Sequence, residues 1–331
     1  MKHPRQKARR LTVLKRACRI STAVTATLFL TALILTPSRV AAAEPTGQKT
    51  FPSPQQAIEA LVAAVQSDGD AGLLEVFGPG SEPLIASGDP VADQTGRARF
   101  LQAFDVKNGL DRESEDRAVL IIGARDYPFP IPIVRRADSW RFDTREGMEE
   151  IINRRIGRNE LHTLEVMQVY CDAQREYAST PRYGKGLQFA QKLKSSDNLK
   201  DGLYWPIGEN DEESPLGPLI ARAADEGYTQ GLDDAHPVPF HGYLFKILRA
   251  QGEHANGGAF DYVADGKMVL GFALVAYPAR YAASGIMTFI VNQEGVIYEK
   301  DLGEETAAVA AAMTAYDPDD SWHKQTEPAE P

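Results

Sequence analysis

Arg154 and Arg158 stand four residues apart in a stretch of helical periodicity, with Arg155, Asn159 and Glu160 beside them. That spacing puts both guanidinium groups on one helix face, where their fixed forks of N–H donors can clamp a carboxylate or phosphate. The same groups can instead pair with Glu150, Glu160 and the other acids of an acidic chain. Further along, Asp201, Tyr204 and Trp205 share the loop Asp201-Gly202-Leu203-Tyr204-Trp205-Pro206. Aromatic faces beside a carboxylate suit stacking on a sugar or gripping a peptide. The alternative is that Tyr204 and Trp205 plug the junction between two halves of the chain. Asp261 follows a Gly257-Gly258 turn, whose glycines either take positive φ or let a ligand approach the backbone. The candidate ligand-binding residues are therefore Arg154, Arg158, Asp201, Tyr204, Trp205 and Asp261.

Motifs with a built-in mechanism are missing. There is no G-x-S-x-G, H-E-x-x-H, P-loop or C-x-x-C. His162, His236, His241 and His254 are dispersed, and none stands at metal-ligand spacing from another His or a Cys. No metal and no cofactor are expected. Glu149 and Glu150 are adjacent in a helical pattern and do not face one another, so they make a poor acid–base pair. Cys171 is the only cysteine after Cys18. It falls among apolar helical positions and reads as a buried structural thiol.

Charge narrows the partners. The chain of 331 residues has a net charge of −10. Nine of its 36 basic residues and none of its 46 acidic ones fall within the first 43, so the remainder carries 27 against 46, a net of −19. Such a chain is repelled by nucleic acid and anionic headgroups, and nucleic-acid binding is excluded as an expectation. The first 43 residues read as a secretory signal. Lys2 to Arg19 is basic, Ile20 to Leu35 is apolar and uncharged, and Ala41-Ala42-Ala43 offers small residues for cleavage before Glu44. The apolar run is short for a membrane span. A periplasmic or secreted protein, processed near Ala43 and without a span in its mature chain, is the expectation.

The elements that must hold the candidates fall into two parts. Residues 44–50 form a polar lead. The part from 51 to 179 begins with helices, Ser53-Pro54-Gln55-Gln56 supplying an N-terminal cap and Val91 to Val106 a further helix. Arg117 to Gly123 reads as a strand, and Phe129 to Val134 as an edge strand because its prolines cannot donate to a ladder. Ser139 to Phe142 pairs back on it. A long helical region follows from an Asp143-x-x-Glu146 capping box to Ser179, with an interruption at Gly157 and a second cap at Asn159. The part from 180 to 322 holds a short helix over Leu187–Lys194 and then a run of strands punctuated by Gly, Asn and Asp: Tyr243–Leu248, Phe260–Val263, Met268–Ala276, Ile286–Val291 and Val296–Lys300. An Ala-rich helix over Glu304–Tyr316, packed through Val309 and Met313, closes it, and 323–331 is a polar tail. The fold class is α+β: N-terminal helices with a small β-sheet, then a C-terminal antiparallel β-meander with flanking helices.

Several phrases are dense in Gly, aromatic and charged residues: Arg154-Arg155-Ile156-Gly157-Arg158-Asn159-Glu160, Asp172-Ala173-Gln174-Arg175-Glu176-Tyr177, Asp201-Gly202-Leu203-Tyr204-Trp205-Pro206, Ser214-Pro215-Leu216-Gly217-Pro218, His241-Gly242-Tyr243, Gly257-Gly258-Ala259-x-Asp261-Tyr262 and Met287-Thr288-Phe289-Ile290-Val291-Asn292. In this order, from about Phe51 to Trp322, they make the chain resemble the domain-of-unknown-function family twenty-nine-fifty. The resemblance implies an exported bacterial protein and brings no activity and no catalytic residues with it. The expected function is that of a non-enzymatic envelope module, binding a protein or glycan partner or serving as a scaffold. The alternative is a periplasmic hydrolase of envelope glycan or peptide using Asp201 or Asp261. The sequence carries no signature of oligomeric state.

Overall fold

The computed structural model describes residues 47–67, 69–182, 186–208, 212–229 and 237–325. The expected signal segment with Ala43, His236 and the end of the polar tail lie outside the described residues.

The chain opens with helix α1, Pro54–Gln66. Ser53 Oγ accepts the Gln56 N–H at 3.2 Å and Pro54 occupies the first turn, where its missing donor costs nothing. α1 buries Ala57, Ile58, Leu61 and Ala64, one face at helical spacing. Helices α2, Ala71–Phe77, and α3, Glu82–Ile85, follow. Helix α4, Pro90–Val106, is capped by Asp89, whose Oδ1 accepts the Ala92 N–H at 3.0 Å. The first sheet comprises β1 (Asn108–Ser114), β2 (Arg117–Ile122), β3 (Tyr127–Pro128), β4 (Ile133–Arg136) and β5 (Ser139–Phe142). Its order is β1-β2-β4-β5, antiparallel, with β3 also pairing on β2. Leu61 and Phe77 from the helices meet Leu120, Ile133, Trp140 and Phe142 from the sheet in one apolar core.

Helix α5, Thr144–Ser179, runs unbroken for 36 residues, about 54 Å at 1.5 Å per residue. The interruption expected at Gly157 does not occur. A Cβ there would meet no atom within 4 Å, so Gly157 occupies an exposed helical position that requires no glycine. Nor does Asp143 cap the helix with its side chain. Glu146 turns to Arg117 instead, accepting from both guanidinium nitrogens at 2.7 and 2.6 Å.

Beyond α5 comes a second apolar core. The helix expected over Leu187–Lys194 is absent, because that backbone is satisfied elsewhere. Phe189 N–H donates to Met268 O at 2.8 Å, and the Gln174 amide takes the Ala190 N–H at 2.8 Å and donates to its C=O at 2.9 Å. Helix α6 spans Gly217–Asp225. The strands are β6 (Tyr243–Leu248), β7 (Ala250–Gln251), β8 (Phe260–Asp261), β9 (Val263–Ala264), β10 (Lys267–Met268), β11 (Ala273–Pro278), β12 (Met287–Asn292) and β13 (Tyr298–Asp301). Helix α7, Thr306–Ala312, β14 (Ala315–Tyr316) and β15 (His323–Lys324) complete the described chain. The main sheet is antiparallel in the order β15-β13-β12-β11-β6. Every residue of β11 is buried, so both faces of the sheet are covered there. β14 pairs with β7 in parallel, a departure from the expected meander. α7 is shorter than its Ala-rich stretch suggested and presents Ala310 to the core, while Val309 is exposed. Lys246 Nζ, 2.6 Å from Met313 O, satisfies its last carbonyls. The α+β class expected from the sequence is the observed one.

α5 belongs to both cores. Ile151 packs on the first, and Val166, Met167, Tyr170 and Tyr177 lie in the second. The boundary expected at Ser179 thus falls at the end of a helix that both cores share.

Candidate functional site

The sequence that crosses between the cores is Arg154-Arg155-Ile156-Gly157-Arg158-Asn159-Glu160. Its members divide by direction. Arg155 donates from Nη1 to Pro83 O at 2.8 Å and from Nη2 to Leu84 O at 2.7 Å, capping the carbonyl end of α3. Asn159 Nδ2 donates to Ser284 O at 2.8 Å. Glu160 Oε1 accepts the N–H groups of Ile286 at 3.0 Å and Met287 at 3.1 Å, where β12 begins. These three bind α5 to both neighbours. Gly242 lies so close that a Cβ would stand 2.4 Å from Asn159 Nδ2, and its φ of +78° is one that glycine adopts without strain.

Arg158 makes no hydrogen bond or ion pair among the described residues. It lines a cleft of about 740 Å³, within the usual range for a small-molecule site. Helix α4 forms one wall. Although it has 17 residues, none of them is buried. Phe100 and Phe104 are only half-buried and touch the first core at its margin. The opposite walls are α1, α2 and α3 through Leu61, Val65, Leu73, Phe77, Leu84 and Ile85, and α5 through Ile151, Arg155, Arg158, Asn159 and His162. Asp225, Glu226, Tyr228 and His241 close the end toward the second core.

That end is polar and closely organised. Asp89 is buried, yet it has no basic partner among the described residues. Its Oδ2 accepts from Tyr228 Oη at 2.9 Å and from Gly242 N–H at 2.8 Å, while Oδ1 caps α4. These donors satisfy the buried carboxylate oxygens. Burial and the Asp89 charge push the Tyr228 phenol up, so it remains a donor. His241 Nε2 lies 2.9 Å from Glu226 Oε2, and its ring packs on that of His162 with centroids 4.3 Å apart. Burial pulls the His241 imidazole below its ordinary range and the His162 ring adds to this, against the opposing pull of Glu226 and Asp89. His162 Nδ1 is buried and without a hydrogen-bond partner among the described residues. The histidines dispersed in sequence are thus partly gathered in space. Among the described residues no three His, Cys, Asp or Glu side chains are grouped to hold a metal.

The cleft wall carries four guanidinium groups, Arg97, Arg99, Arg155 and Arg158, against three carboxylates, Asp93, Asp225 and Glu226. Burial pushes the Asp93 carboxyl up, against the Ser87 hydrogen bond and the Arg155 charge. With Asp89 beside the polar end, the charges around the cleft are close to balanced. Arg97 is engaged with Asp70 and with Ile85 O. Arg99, like Arg158, makes no hydrogen bond or ion pair among the described residues.

The other residues singled out in the sequence lie elsewhere. Arg154 pairs with Glu150 and Tyr127, its guanidinium 5.6 Å from the Tyr127 ring centre, and does not line the cleft. Asp201 closes a loop on itself: Oδ2 meets Lys192 Nζ at 2.7 Å and Oδ1 accepts the Ser196 N–H at 2.7 Å. Burial alone pushes its carboxyl up, but Lys192 and Ser196 together hold it below the usual range. Lys192 also donates to Ser196 Oγ at 2.6 Å. Trp205 is 3% exposed, as a side chain that fills packing would be and one that offers its face to a ligand would not. Its Nε1 donates to Glu212 O at 2.9 Å and Arg182 lies over its ring at 5.4 Å. Tyr204 is half-buried against the second core. Asp261 is exposed on β8. Of the six candidates, the cleft gathers Arg158 alone. Cys171 is buried, and burial pushes its thiol up to about 12.

Sequence reasoning passed over Asp89, Tyr228 and Arg99. Asp89 falls in Ser87-Gly88-Asp89-Pro90, which reads as a turn, and nothing local marked Tyr228 or Arg99 as facing a cleft. No helix of the described residues is long and apolar enough to cross a membrane. No curated protein and no solved structure matches the chain. The family described as "Protein of unknown function (DUF2950)" matches residues 48–325, which span both cores, α5 and the cleft between them, and the chain belongs to that family.

Proposed function

We propose that this is an exported, non-enzymatic binding protein whose ligand enters the cleft under α4. The observation that carries this reading is a 17-residue helix that fully buries none of its own side chains and stands over about 740 Å³ of space with apolar and charged walls. Helices in a packed domain normally gain their stability by burying an apolar face. α4 is held by its Asp89 cap, by Arg97 and by the marginal packing of Phe100, Ala103 and Phe104 on the first core, and the rest of the apolar surface beneath it lines the cleft. The basic and apolar pattern before Glu44 supports export to the periplasm or beyond.

Thermal unfolding of the purified protein against fractions of an envelope extract tests this. A ligand present at a hundred times its Kd adds about 2.7 kcal/mol, so the midpoint should rise by several degrees. Replacing Ile151 by Trp should abolish that rise by filling the cleft, whereas Arg154→Ala should not change it. A rise that survives Ile151→Trp places the ligand elsewhere and contradicts the reading. The hydrolase reading has one observation in its favour, the His241–Glu226 pair at the polar end, since a neutral imidazole oriented by a carboxylate can serve as a general base. Turnover of an envelope glycan or peptide, lost in His241→Gln with folding intact, would establish it instead.

A further inference from the structure

The cleft is graded along its length. Near Ile151 it is walled by Leu61, Val65, Phe100 and Phe129, with Arg97 and Arg99 beside Phe100 on α4, and further along α5 it reaches Arg158 and His162. From Ile151 to His162 along α5 is about 16 Å. A mainly apolar end, with a guanidinium and a buried imidazole Nδ1 at the other that have no partner among the described residues, matches a molecule of the same grading. We infer that the cleft holds a fatty carboxylate, with its acyl chain between α1 and α4 and its carboxylate at Arg158 and His162. This deepens the binding reading above and rests on it.

The chemistry distinguishes this ligand from others of similar size. A guanidinium fork accepts the two carboxylate oxygens in parallel. An imidazole with its hydrogen on Nδ1 adds a third donor. Glu226 does not compete for these donors, because it is held by His241 at 2.9 Å. A neutral amphiphile would satisfy the apolar walls and leave the donors unpaired. Inorganic phosphate would do the reverse, leaving the walls against water.

Calorimetric titration of the full purified protein with hexanoate, octanoate, decanoate and dodecanoate, and with decanol and inorganic phosphate, tests the inference. Affinity should rise about fourfold per added methylene, as for transfer of that group from water. Decanol should bind more weakly than decanoate by about tenfold or more, and Arg158→Gln should bring decanoate down to the level of decanol. Arg158 is exposed on its helix, so this variant is expected to fold as the parent does. Ile151→Trp, checked for folding by circular dichroism, should lose the dependence on chain length. If decanol and decanoate bind alike and Arg158→Gln changes neither, the fatty carboxylate is wrong and the binding reading survives. The same holds if none of the probes binds while an envelope fraction still raises the unfolding midpoint through the cleft. If no probe binds and no fraction stabilises the protein, both fall.

Discussion

His241 shows how one residue carries information about its whole surroundings. Its ring faces His162 from α5, Glu226 and Tyr228 from the end of α6 and the turn beyond, and Asp89 from the start of α4, with the Arg222 charge nearby. Burial lowers its proton affinity in the folded state below the ordinary value of 6.5. The unfolded chain therefore takes up a proton before the folded one does as pH falls. The contribution of His241 to stability is fully present above about pH 6.5 and is lost as pH drops from there through the lowered folded value. Urea unfolding at a series of pH values should show a decline below pH 6.5 that is shallower in His241→Asn. Equal slopes for the two proteins would show that the ring is as easily protonated in the fold as outside it. None of this was legible in the sequence. His162 and His241 are far apart in the chain, and only the crossing of α5 over the turn before β6 brings them together. Arg158 was legible, since its spacing from Arg154 was visible. Which of the two would remain unpaired was not, because Tyr127 reaches Arg154 from the first sheet.

At the scale of elements, α5 is the piece on which the others depend, and two of its glycines have opposite meanings. Gly147 is buried in its first turn, and a Cβ there would stand 2.2 Å from Pro130 O. Gly157 is exposed and would meet nothing. Gly147→Ala should destabilise the protein by about 1–3 kcal/mol through overpacking against backbone. Gly157→Ala should stabilise it by about 0.5–1 kcal/mol by reducing the freedom of the unfolded chain. Urea midpoints of the two variants check both signs. The sequence suggested the reverse emphasis, treating Gly157 as an interruption. Propensity is a weak signal against a helix anchored by Arg155, Asn159 and Glu160 on either side of that glycine. α1, α2, α4, β2, β5 and β6 were readable from caps, periodicity and turn residues. β1 was not, because Asn108–Ser114 is polar and almost wholly exposed, held by its ladder with β2. A strand of that kind leaves no apolar alternation to read.

The described residues from Gly47 on form two apolar cores strung on one helix, with a cleft where they meet. The class of the fold and the order of its parts followed from alternation and punctuation in the chain. The cleft did not, because a space has no residues of its own, and its walls come from α1 through α6. What betrays it in retrospect is α4, whose sequence is helical but only feebly amphipathic: Phe100 and Phe104 are interleaved with Arg97, Arg99 and Gln102. Such a helix cannot bury itself well, and in the structure none of its residues is fully buried. The most direct test is native mass spectrometry of the protein recovered from the cell envelope, beside Ile151→Trp recovered in the same way. The account predicts a retained small molecule on the parent protein that is missing from the variant. A parent protein of bare polypeptide mass, or an adduct carried equally by both, would contradict it.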